Sequence, residues 1–502
     1  MPDETAPPVH LPAVVEGLAA NTALPSELVR RLFGHRRGRD TVAGRQDLSE
    51  DMIAEIIARD DRCLTHSLAL NRSLPPAFRL ALAGHPDPGI RRAVVVAADG
   101  APRELFTALL EDPDPQVREE LAESDHTPED LRARLAADAD PKVRRALAQW
   151  WTAAPEHVRR LLLTDPDESV RAGACATYFR RTPHPVPPAD LVPALLADPV
   201  TRAGAVRHST LDTATAHRLA DDPDDEVRKE LAEHPDLPPE LRDRLATDAN
   251  PRVALRVFAR QDTPEATRSA IHARILSGLS PLHRLAAHQD QGQGLFPDLD
   301  PDVDDAALER EIMGEIARAE LWALHLPWVA ADPLPHADSP CVCFRVSAAW
   351  SEHLPPHLVA RLLHDEESSV REAMALRARD HIDPDTAERI ERTHRPQKPI
   401  RWRPADDLPL PADVLRRLAT DPDARMRQLA PRDPDLPVES LSRLAADPDH
   451  TVRRLVAAHP RLPAEDLTRL VADPAESVAA AAAAHPGLPR TEMHRLLALA
   501  GL

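Results

Sequence analysis

The stretch LAEHPDLPPELRDRLATDANPRV, residues 231–253, contains the end of one helix, a proline turn, a second helix and the start of a third. The first helix must end at His234-Pro235, because the residue before a proline is driven out of the helical region. The second helix begins at the proline pair and places Leu241 and Leu245 one turn apart on one face. The stretch therefore predicts a pair of short helices as the structural unit.

The same unit returns along most of the chain, mostly at steps of 26 or 27 residues. Its marker is an apolar residue near the start of the first helix, usually followed by arginine: Leu64, Ile90, Val117, Val143, Val170, Val227, Val253, Val370, Ile400, Met426, Val452 and Val478. Three residues before many markers stands an aspartate, or Asn250, whose side-chain oxygen can accept the free N–H groups of a helix start. Such short helices are unstable alone, so each pair must bury its leucines against neighbouring pairs in an open, elongated stack.

The recurring pattern H-P-x-L-P-x-E-x-L-x-R-L-A followed by D-P-D-x-x-V-R resembles the leucine-rich repeat variant family, among the wider HEAT-like α-solenoids. The resemblance covers roughly residues 24–270 and 351–502. It implies an all-α fold, a right-handed α-solenoid of two-helix repeats of about 26 residues. Some members of the family carry an amino-terminal cysteine cluster for an iron–sulfur centre. Here the first cysteine, Cys63, stands alone, so no cofactor is expected.

The markers fail between Val253 and Val370, which are 117 residues apart. The acidic stretch FPDLDPDVDDAALER intervenes, so this segment is either a set of divergent repeats or an inserted element. Long departures from a repeat commonly form a binding face or a bend. The sequence thus predicts four parts: a tail or cap at 1–23, a repeat array at 24–270, the divergent or inserted segment at 271–350, and a second array with an apolar terminal cap at 351–502.

Aspartates and arginines recur at one spacing within the units. The pairs are Asp112 and Arg118, Asp138 and Arg144, Asp165 and Arg171, Asp222 and Arg228, Asp421 and Arg427, and Asp447 and Arg453. We interpret them as a structural ladder in which each arginine bridges carboxylates or carbonyls of neighbouring units and holds the stack in register. A row of arginines that binds an anion is the alternative.

No catalytic motif is evident. The sequence has no nucleophile elbow, phosphate loop, HExxH or paired CxxC, and 15 glycines leave little material for a phosphate cradle. Cys341 and Cys343, with His336 and His353 nearby, could supply half of a soft metal site. Counting back from the following Leu-Pro turn places both thiols at the start of a first helix, which favours core residues. We predict a protein that is not an enzyme and holds no metal.

Tryptophan is concentrated where the repeat breaks. Trp322, Trp328 and Trp350 lie in or next to the divergent segment, and Trp402 occupies a slot that is charged in other units. Large aromatic side chains and arginines are the usual anchors of protein interfaces. We therefore predict a partner-binding set of Trp322, Trp328, Trp350, Trp402, Arg401 and Arg403. For Trp402, an equal alternative is that it covers the irregular loop HRPQKPIRWRP.

Composition limits the class of partner and the compartment. The formal net charge of -20 repels polyanions, so a nucleic-acid partner is not expected. The acidic, proline-broken start MPDETAPPVHLPAVV lacks the features of a signal peptide, and no apolar run approaches the ~18 residues of a membrane span. A cytoplasmic location follows. Three lysines among 62 basic residues indicate a GC-rich bacterial genome.

The terminal unit, ESVAAAAAAHPGLPRTEMHRLLALAGL, lacks the ladder arginine and most of the charge. A terminal repeat should present a polar outer face, whereas this one offers Leu496, Leu497, Leu499 and Leu502. We therefore predict that the last helix docks on a partner or on a second copy of the chain.

Taken together, these features predict a non-catalytic scaffold or adaptor that binds a protein or peptide through an extended solenoid surface. The alternative from another class is a HEAT-like nucleic-acid-binding protein or DNA-repair glycosylase with a basic groove. The acidic net charge and the assignment of the arginines to the ladder count against that alternative.

Overall fold

The computed structural model describes residues 7–179, 182–277, 305–394 and 403–502. The chain forms two compact units. Unit 1 comprises Met1–Val143, Asp383–Arg392 and Leu408–Leu502, and unit 2 comprises Arg144–Ile382 and Thr393–Asp407. The four-part division at 23/24, 270/271 and 350/351 stays a prediction.

Apart from one short hairpin, the described elements are helices, and most of them form pairs of a first and a second helix. The first helices of the pairs, called the marker helices, are α1 (Leu11–Ala20), α3 (Arg39–Ala43), α5 (Arg62–Ala69), α7 (Pro88–Val96), α9 (Pro115–Glu123), α11 (Pro141–Trp150), α13 (Glu168–Ala174), α15 (Arg202–Val206), α17 (Asp225–Ala232), α19 (Pro251–Ala259), α23 (Val342–Ala349), α25 (Ser368–Arg377), α28 (Ala424–Arg427), α30 (His450–Ala457) and α32 (Glu476–Ala484). Four of them, α1, α3, α15 and α23, contain none of the sequence markers, and the marker Ile400 lies outside the described residues.

The second helices of the pairs are α2 (Ser26–Leu32), α4 (Glu50–Ala58), α6 (Pro76–Ala83), α8 (Arg103–Leu110), α10 (Glu129–Arg134), α12 (Glu156–Leu163), α14 (Val192–Ala197), α16 (Thr213–Ala220), α18 (Pro239–Leu245), α20 (Glu265–Ser277), α24 (Pro356–Leu362), α26 (Pro384–Thr393), α27 (Ala412–Leu418), α29 (Val438–Leu444), α31 (Ala464–Leu470) and α33 (Arg490–Leu499). Two further helices, α21 (Asp305–Trp322) and α22 (Pro327–Ala331), lie in the divergent segment. Single 3₁₀ turns occur at Leu135–Ala137, Arg379–His381, Pro404–Asp406 and Ala430–Arg432.

The opening stretch shows why these elements form. Asp224 caps α17 by accepting the backbone N–H of Glu226 at 2.9 Å, and Asn250 caps α19 in the same way. The buried faces hold the marker and the Leu pair: Val227, Leu241 and Leu245 are at most 2% exposed. Each such side chain stabilises the stack by roughly 1.5–3 kcal/mol. The predicted class, an all-α solenoid of repeating helix pairs, is confirmed; the hand of the superhelix stays a prediction.

One short antiparallel ladder interrupts the helices. Strands β1 (Tyr178–Phe179) and β2 (Thr182–Pro183) pair with Tyr178 opposite Pro183 and Phe179 opposite Thr182. They lie between α13 and α14, where the markers skip from Val170 to Val227. The sequence pattern did not predict this hairpin.

Several helix ends are joined by a second ladder. At these ends, an Asn or His side chain at the end of a marker helix bonds to the backbone at the same position of the preceding unit. In unit 1, His459 Nε2 lies 3.0 Å from the carbonyl oxygen of Asp433, and His485 Nε2 lies 3.0 Å from that of His459. Asn71 Nδ2 donates to the carbonyl of Arg45 at 2.8 Å. These histidines therefore serve stacking.

The same ladder joins the two ends of the chain within unit 1. Asn21 Nδ2 donates to the carbonyls of Ala483 and His485 at 3.0 and 2.7 Å, across more than 460 residues of sequence. Helix α1 lies on α32 as a following marker helix would. A Cβ added at Gly17 would lie 2.2 Å from the carbonyl oxygen of Ala480, so the two helices approach backbone to backbone. We call this contact, residues 10–21 against 474–485, the terminal junction.

The terminal junction covers much of the apolar end that the sequence pattern predicted to be exposed. Leu496 and Leu497 are fully buried inside unit 1, and α33 packs on α1. Poly-alanine in α32 suits a close helix contact, because larger side chains would hold α1 away. The leucines that suggested self-association are thus largely covered by the chain itself, and Leu499 and Leu502 are half-buried.

Candidate functional site

Helix α21 leaves one apolar face uncovered. Its inner face buries Ala317 and Leu321, which are 0% and 2% exposed. On the outer face, Ile312 and Ile316 are 39% and 37% exposed, and Ala319 and Ala323 continue the row. The spacing of four, three and four residues places all of them on one side of the helix. We call Ile312, Ile316, Ala319 and Ala323 the α21 stripe.

The helix that carries the stripe is held firmly to the array. Glu320 accepts hydrogen bonds from Arg252 Nε at 2.9 Å and from Arg256 Nη2 at 3.3 Å, both on α19. Leu321 joins the large core cluster of unit 2. The stripe is therefore an exposed face on a fixed helix. Trp322, the last residue of α21, is 41% exposed and borders the stripe.

Trp328 is placed differently from the other predicted anchors. Its indole Nε1 donates to the carbonyl of Ala259 at 2.9 Å. Its ring lies 5.8 Å from that of Phe344 and 5.2 Å from that of His336, with the Arg268 guanidinium 5.2 Å above it. The side chain is half-buried and already makes these contacts inside unit 2, so it is less accessible than Trp322, and its role as a partner-binding anchor stays a prediction.

Two of the remaining predicted anchors, Trp350 and Arg403, lie among the described residues. Trp350 follows α23 and is 40% exposed, so its ring is accessible. Arg403 precedes a 3₁₀ turn, where its backbone N–H donates to the Asp406 carboxylate at 3.0 Å. Trp402 and Arg401 lie outside the described residues.

The arginine ladder is built between neighbouring units. In unit 1, Arg453 donates from Nε and Nη2 to the two carboxylate oxygens of Asp473 at 2.7 and 2.9 Å. Its Nη1 donates to the backbone carbonyl of Asp447 at 2.8 Å. Arg453 thus bonds to the backbone carbonyl of the aspartate in its own unit and to the carboxylate of the aspartate in the next unit. The same arrangement joins Arg91 to Asp112, Arg118 to Asp138, Arg144 to Asp165, Arg228 to Asp248, Arg345 to Asp365 and Arg427 to Asp447.

Two of the ladder carboxylates, Asp473 and Asp447, have surroundings that favour the ionised form. Burial raises the pKa of Asp473, but the hydrogen bonds from Arg453 and from the Ala475 N–H outweigh burial and leave the pKa below its usual value. Asp447 is held in the same way by Arg427 and the Asp449 N–H. An arginine bound to two carboxylate oxygens has little capacity left for an external anion.

The cysteines are free thiols in separate settings. Cys63 is exposed, whereas Cys175, Cys341 and Cys343 are buried. Burial raises the pKa of Cys343 to about 12, so the thiol stays protonated. Across the described ranges, the structure forms no group of three or more His, Cys, Asp or Glu side chains that could hold a metal ion.

A cavity lies at a place that the sequence interpretation missed. The markers Val170 and Val227 are 57 residues apart, so one unit and an insertion lie between them. The proline-rich run TPHPVPP, residues 182–188, was the available signal. We call this region, residues 174–179 and 182–208 from the end of α13 to just after α15, the interrupted junction. It borders a cavity of about 340 Å³.

A comparison with family models identifies the repeat. Residues 225–250 and 450–475 match the family model described as leucine rich repeat variant, so the chain carries repeats of this family. No curated protein matches the chain. A solved structure described as a crystal structure of an engineered protein is 15% identical, with 94% of this chain and 97% of that chain covered and a TM-score of 0.12.

The family match is to a repeat, and no catalytic domain is detected. Among the described helices, none is both long and apolar enough to cross a membrane.

Proposed function

We propose that this chain is a non-catalytic scaffold that binds a helical segment of a partner protein along the α21 stripe. The observation that carries the proposal is an exposed apolar row on a helix whose opposite face buries Ala317 and Leu321 in the core. Spacing of four and three residues is the spacing at which one helix packs against another. The two alanines let a partner backbone approach, and Trp322 supplies an aromatic anchor beside the row.

A nucleic-acid function has less support. The net charge of -20 opposes a polyanion, and the ladder arginines bind carboxylates of neighbouring units. A salt-dependent gel shift with duplex DNA tests this alternative directly, since phosphate binding weakens steeply as salt rises.

Site-specific photo-crosslinking tests the scaffold proposal in the native host. A photoreactive phenylalanine analogue replaces Ile316 in one bait and Leu161 in a matched control, which is 54% exposed on α12 of the same unit. We expect one discrete protein adduct from position 316 and not from position 161. The adduct should disappear when Ile312→Glu is added. Equal labelling from both positions, or an adduct that survives Ile312→Glu, contradicts the proposal.

A further inference from the structure

The cavity at the interrupted junction has walls of two kinds. Apolar atoms come from Ala174 at the end of α13 and from Pro185, Val186 and Pro187 after β2. Polar groups come from His184, Arg207, His208 and Glu230, the last of these on α17. At about 340 Å³ the cavity is within the range of small-molecule sites, roughly 300–1,000 Å³.

The cavity exists because two backbones meet where the hairpin displaces the regular connection. A Cβ added at Gly204 on α15 would lie 1.6 Å from the carbonyl oxygen of Cys175. The Cys175 thiol donates to the Thr201 carbonyl at 3.3 Å, and burial raises its pKa to about 12. The thiol is thus a neutral part of the wall.

Glu230 is the unusual member of the lining. It is 2% exposed, and its Oε2 lies 3.2 Å from Nη2 of Arg207. Its other oxygen, Oε1, is buried without a hydrogen-bond partner among the described residues. A buried acceptor left unpaired destabilises the fold, because it has lost its hydrogen bonds to water. Since Oε1 belongs to a side chain that lines the cavity, a ligand in the cavity can supply the missing donor.

The charges around Glu230 favour a positive ligand. Arg207 is shared between Glu230 and Glu233, so one cation faces two carboxyl groups. Burial lowers the pKa of both His184 and His208, and nearby arginines lower them further, so both imidazoles are neutral at pH 7. His184 Nε2 is also buried without a partner among the described residues. An ammonium group carries several N–H donors and can satisfy more than one such acceptor.

We propose that the cavity lined by Ala174, Val186, Pro187, His184 and Glu230 binds a small organic cation. Its ammonium or amidinium group donates to Glu230 Oε1, and its apolar part lies against Val186 and Pro187. This site is separate from the α21 stripe, and its ligand differs in class from the partner protein proposed there.

The groups that bear on Glu230 set how binding responds to pH. They are Arg207 and His208 after α15, His184 after β2, Glu226, Lys229 and Glu233 on α17, and Arg252 and Arg256 on α19, which pair with Glu226 and Glu233. Burial raises the pKa of Glu230 to about 7. The carboxylate form that attracts a cation therefore becomes dominant above neutral pH. Affinity for a cation should rise about tenfold from pH 6 to pH 8.

Calorimetric titration of the full chain with three probes of one shape tests the proposal. The probes are phenethylammonium, 3-phenylpropionate and 2-phenylethanol. We expect saturable binding of phenethylammonium at pH 8, at least tenfold tighter than either other probe. Tighter binding of 3-phenylpropionate, equal binding of all three, or no saturable binding of phenethylammonium would overturn the proposal.

Two variants separate the site from general charge effects. Glu230→Gln removes the acceptor charge, and Val186→Lys places a cation on a 63% exposed position of the lining, where folding should tolerate it. Each should weaken phenethylammonium binding at least tenfold. Glu240→Gln, at an exposed position on α18 outside the cavity, should leave affinity within twofold. If Val186→Lys and Glu230→Gln both bind as well as wild type, the cavity is not the site.

Discussion

The terminal junction and the interrupted junction show that distance along the chain does not decide how well two repeats fit. At the terminal junction, α1 and α32 belong to opposite ends of the sequence, yet Asn21 makes the bonds that Asn71 makes between consecutive units. At the interrupted junction, α13 and α15 are close in sequence, yet buried polar atoms of Glu230 and His184 lack partners among the described residues. Buried polar groups therefore find hydrogen-bond partners where the ladder side chains are in place, whether or not the two helices are close in sequence.

Glycine permits the closest approach at both junctions but with different results. Gly17 faces a row of alanines, so the gap closes completely. Gly204 faces the end of a helix followed by a hairpin, and a cavity remains beside the contact. Stability is therefore expected to depend mainly on the first junction and ligand binding on the second.

The largest expected effect is on the terminal junction. Gly17→Leu places a side chain where the Ala480 carbonyl lies, so α1 must separate from α32. We expect the free energy of unfolding to fall by about 3 kcal/mol, from overpacking and the exposure of alanines. Denaturant unfolding measures it, and hydrogen exchange at residues 479–483 should accelerate.

Gly34→Leu is the matched control for this variant. Gly34 is exposed, and the nearest atom to an added Cβ is a flexible Arg59 nitrogen at 3.9 Å. A change within about 0.5 kcal/mol is expected there, as for ordinary surface substitutions. If Gly17→Leu is equally silent, α1 does not sit on α32 as described.

The next effect compares two equivalent asparagines. Asn21→Ala removes the donors to Ala483 and His485, and Asn71→Ala removes those to Ala43 and Arg45. Each variant leaves two buried carbonyls without these bonds and should destabilise the chain by about 2–3 kcal/mol. Equal losses in thermal unfolding would show that the terminal junction is energetically an ordinary repeat contact. A loss only for Asn71→Ala would show that it is not.

How much of this the sequence alone could predict depends on whether the signal is local. The caps at Asp224 and Asn250 and the turn after His234 involve neighbours in sequence, so their pattern predicted them. Asn21, three residues before Leu24-Pro25, also had a local signal, because Asn71 precedes Leu74-Pro75 at the same distance. Which helix Asn21 bonds to depends on the path of the whole array and could not be predicted.

The exposure of the candidate binding residues could not be predicted from the sequence, for a physical reason. Trp322 and Trp328 look alike in sequence, but Trp322 is 41% exposed, whereas Trp328 is half-buried beside Phe344, His336 and Arg268. Exposure is set by tertiary packing from distant segments. The spacing of the apolar residues in the α21 stripe is visible in the sequence. Which face of α21 the core covers is not, because that depends on contacts with distant segments.

A smaller expected effect is on the pH dependence of the unfolding free energy, to which Glu230 at the interrupted junction contributes. Folded Glu230 has a pKa of about 7 against an ordinary value of 4.5, so the folded chain holds a proton that the unfolded chain has released in this range. Its contribution to stability is fully present below pH 4.5 and is lost as pH rises to about 7.

The difference in unfolding free energy between wild type and Glu230→Gln should therefore fall by on the order of 2 kcal/mol across that range. Subtraction removes the opposite trend of carboxylates such as Asp447 and Asp473, whose pKa values are lowered. Unfolding curves at a series of pH values measure the difference. A flat difference would mean that Glu230 titrates normally and that its environment is not the dry one described.

The smallest expected effect tests the ladder at the two kinds of junction. Arg453 binds both oxygens of Asp473, whose side chain is 6% exposed, while Arg171 reaches Asp198 through Nε at 2.8 Å, and that aspartate is 25% exposed. Lysine keeps the charge but cannot form the two-pronged contact. Arg453→Lys should cost about 1 kcal/mol, and Arg171→Lys should cost less than half as much, because exposed single contacts contribute little. Denaturant midpoints of the two variants measure the gap. Equal costs would mean that the ladder holds the interrupted junction as tightly as it holds the regular ones. A looser ladder could then not explain the cavity.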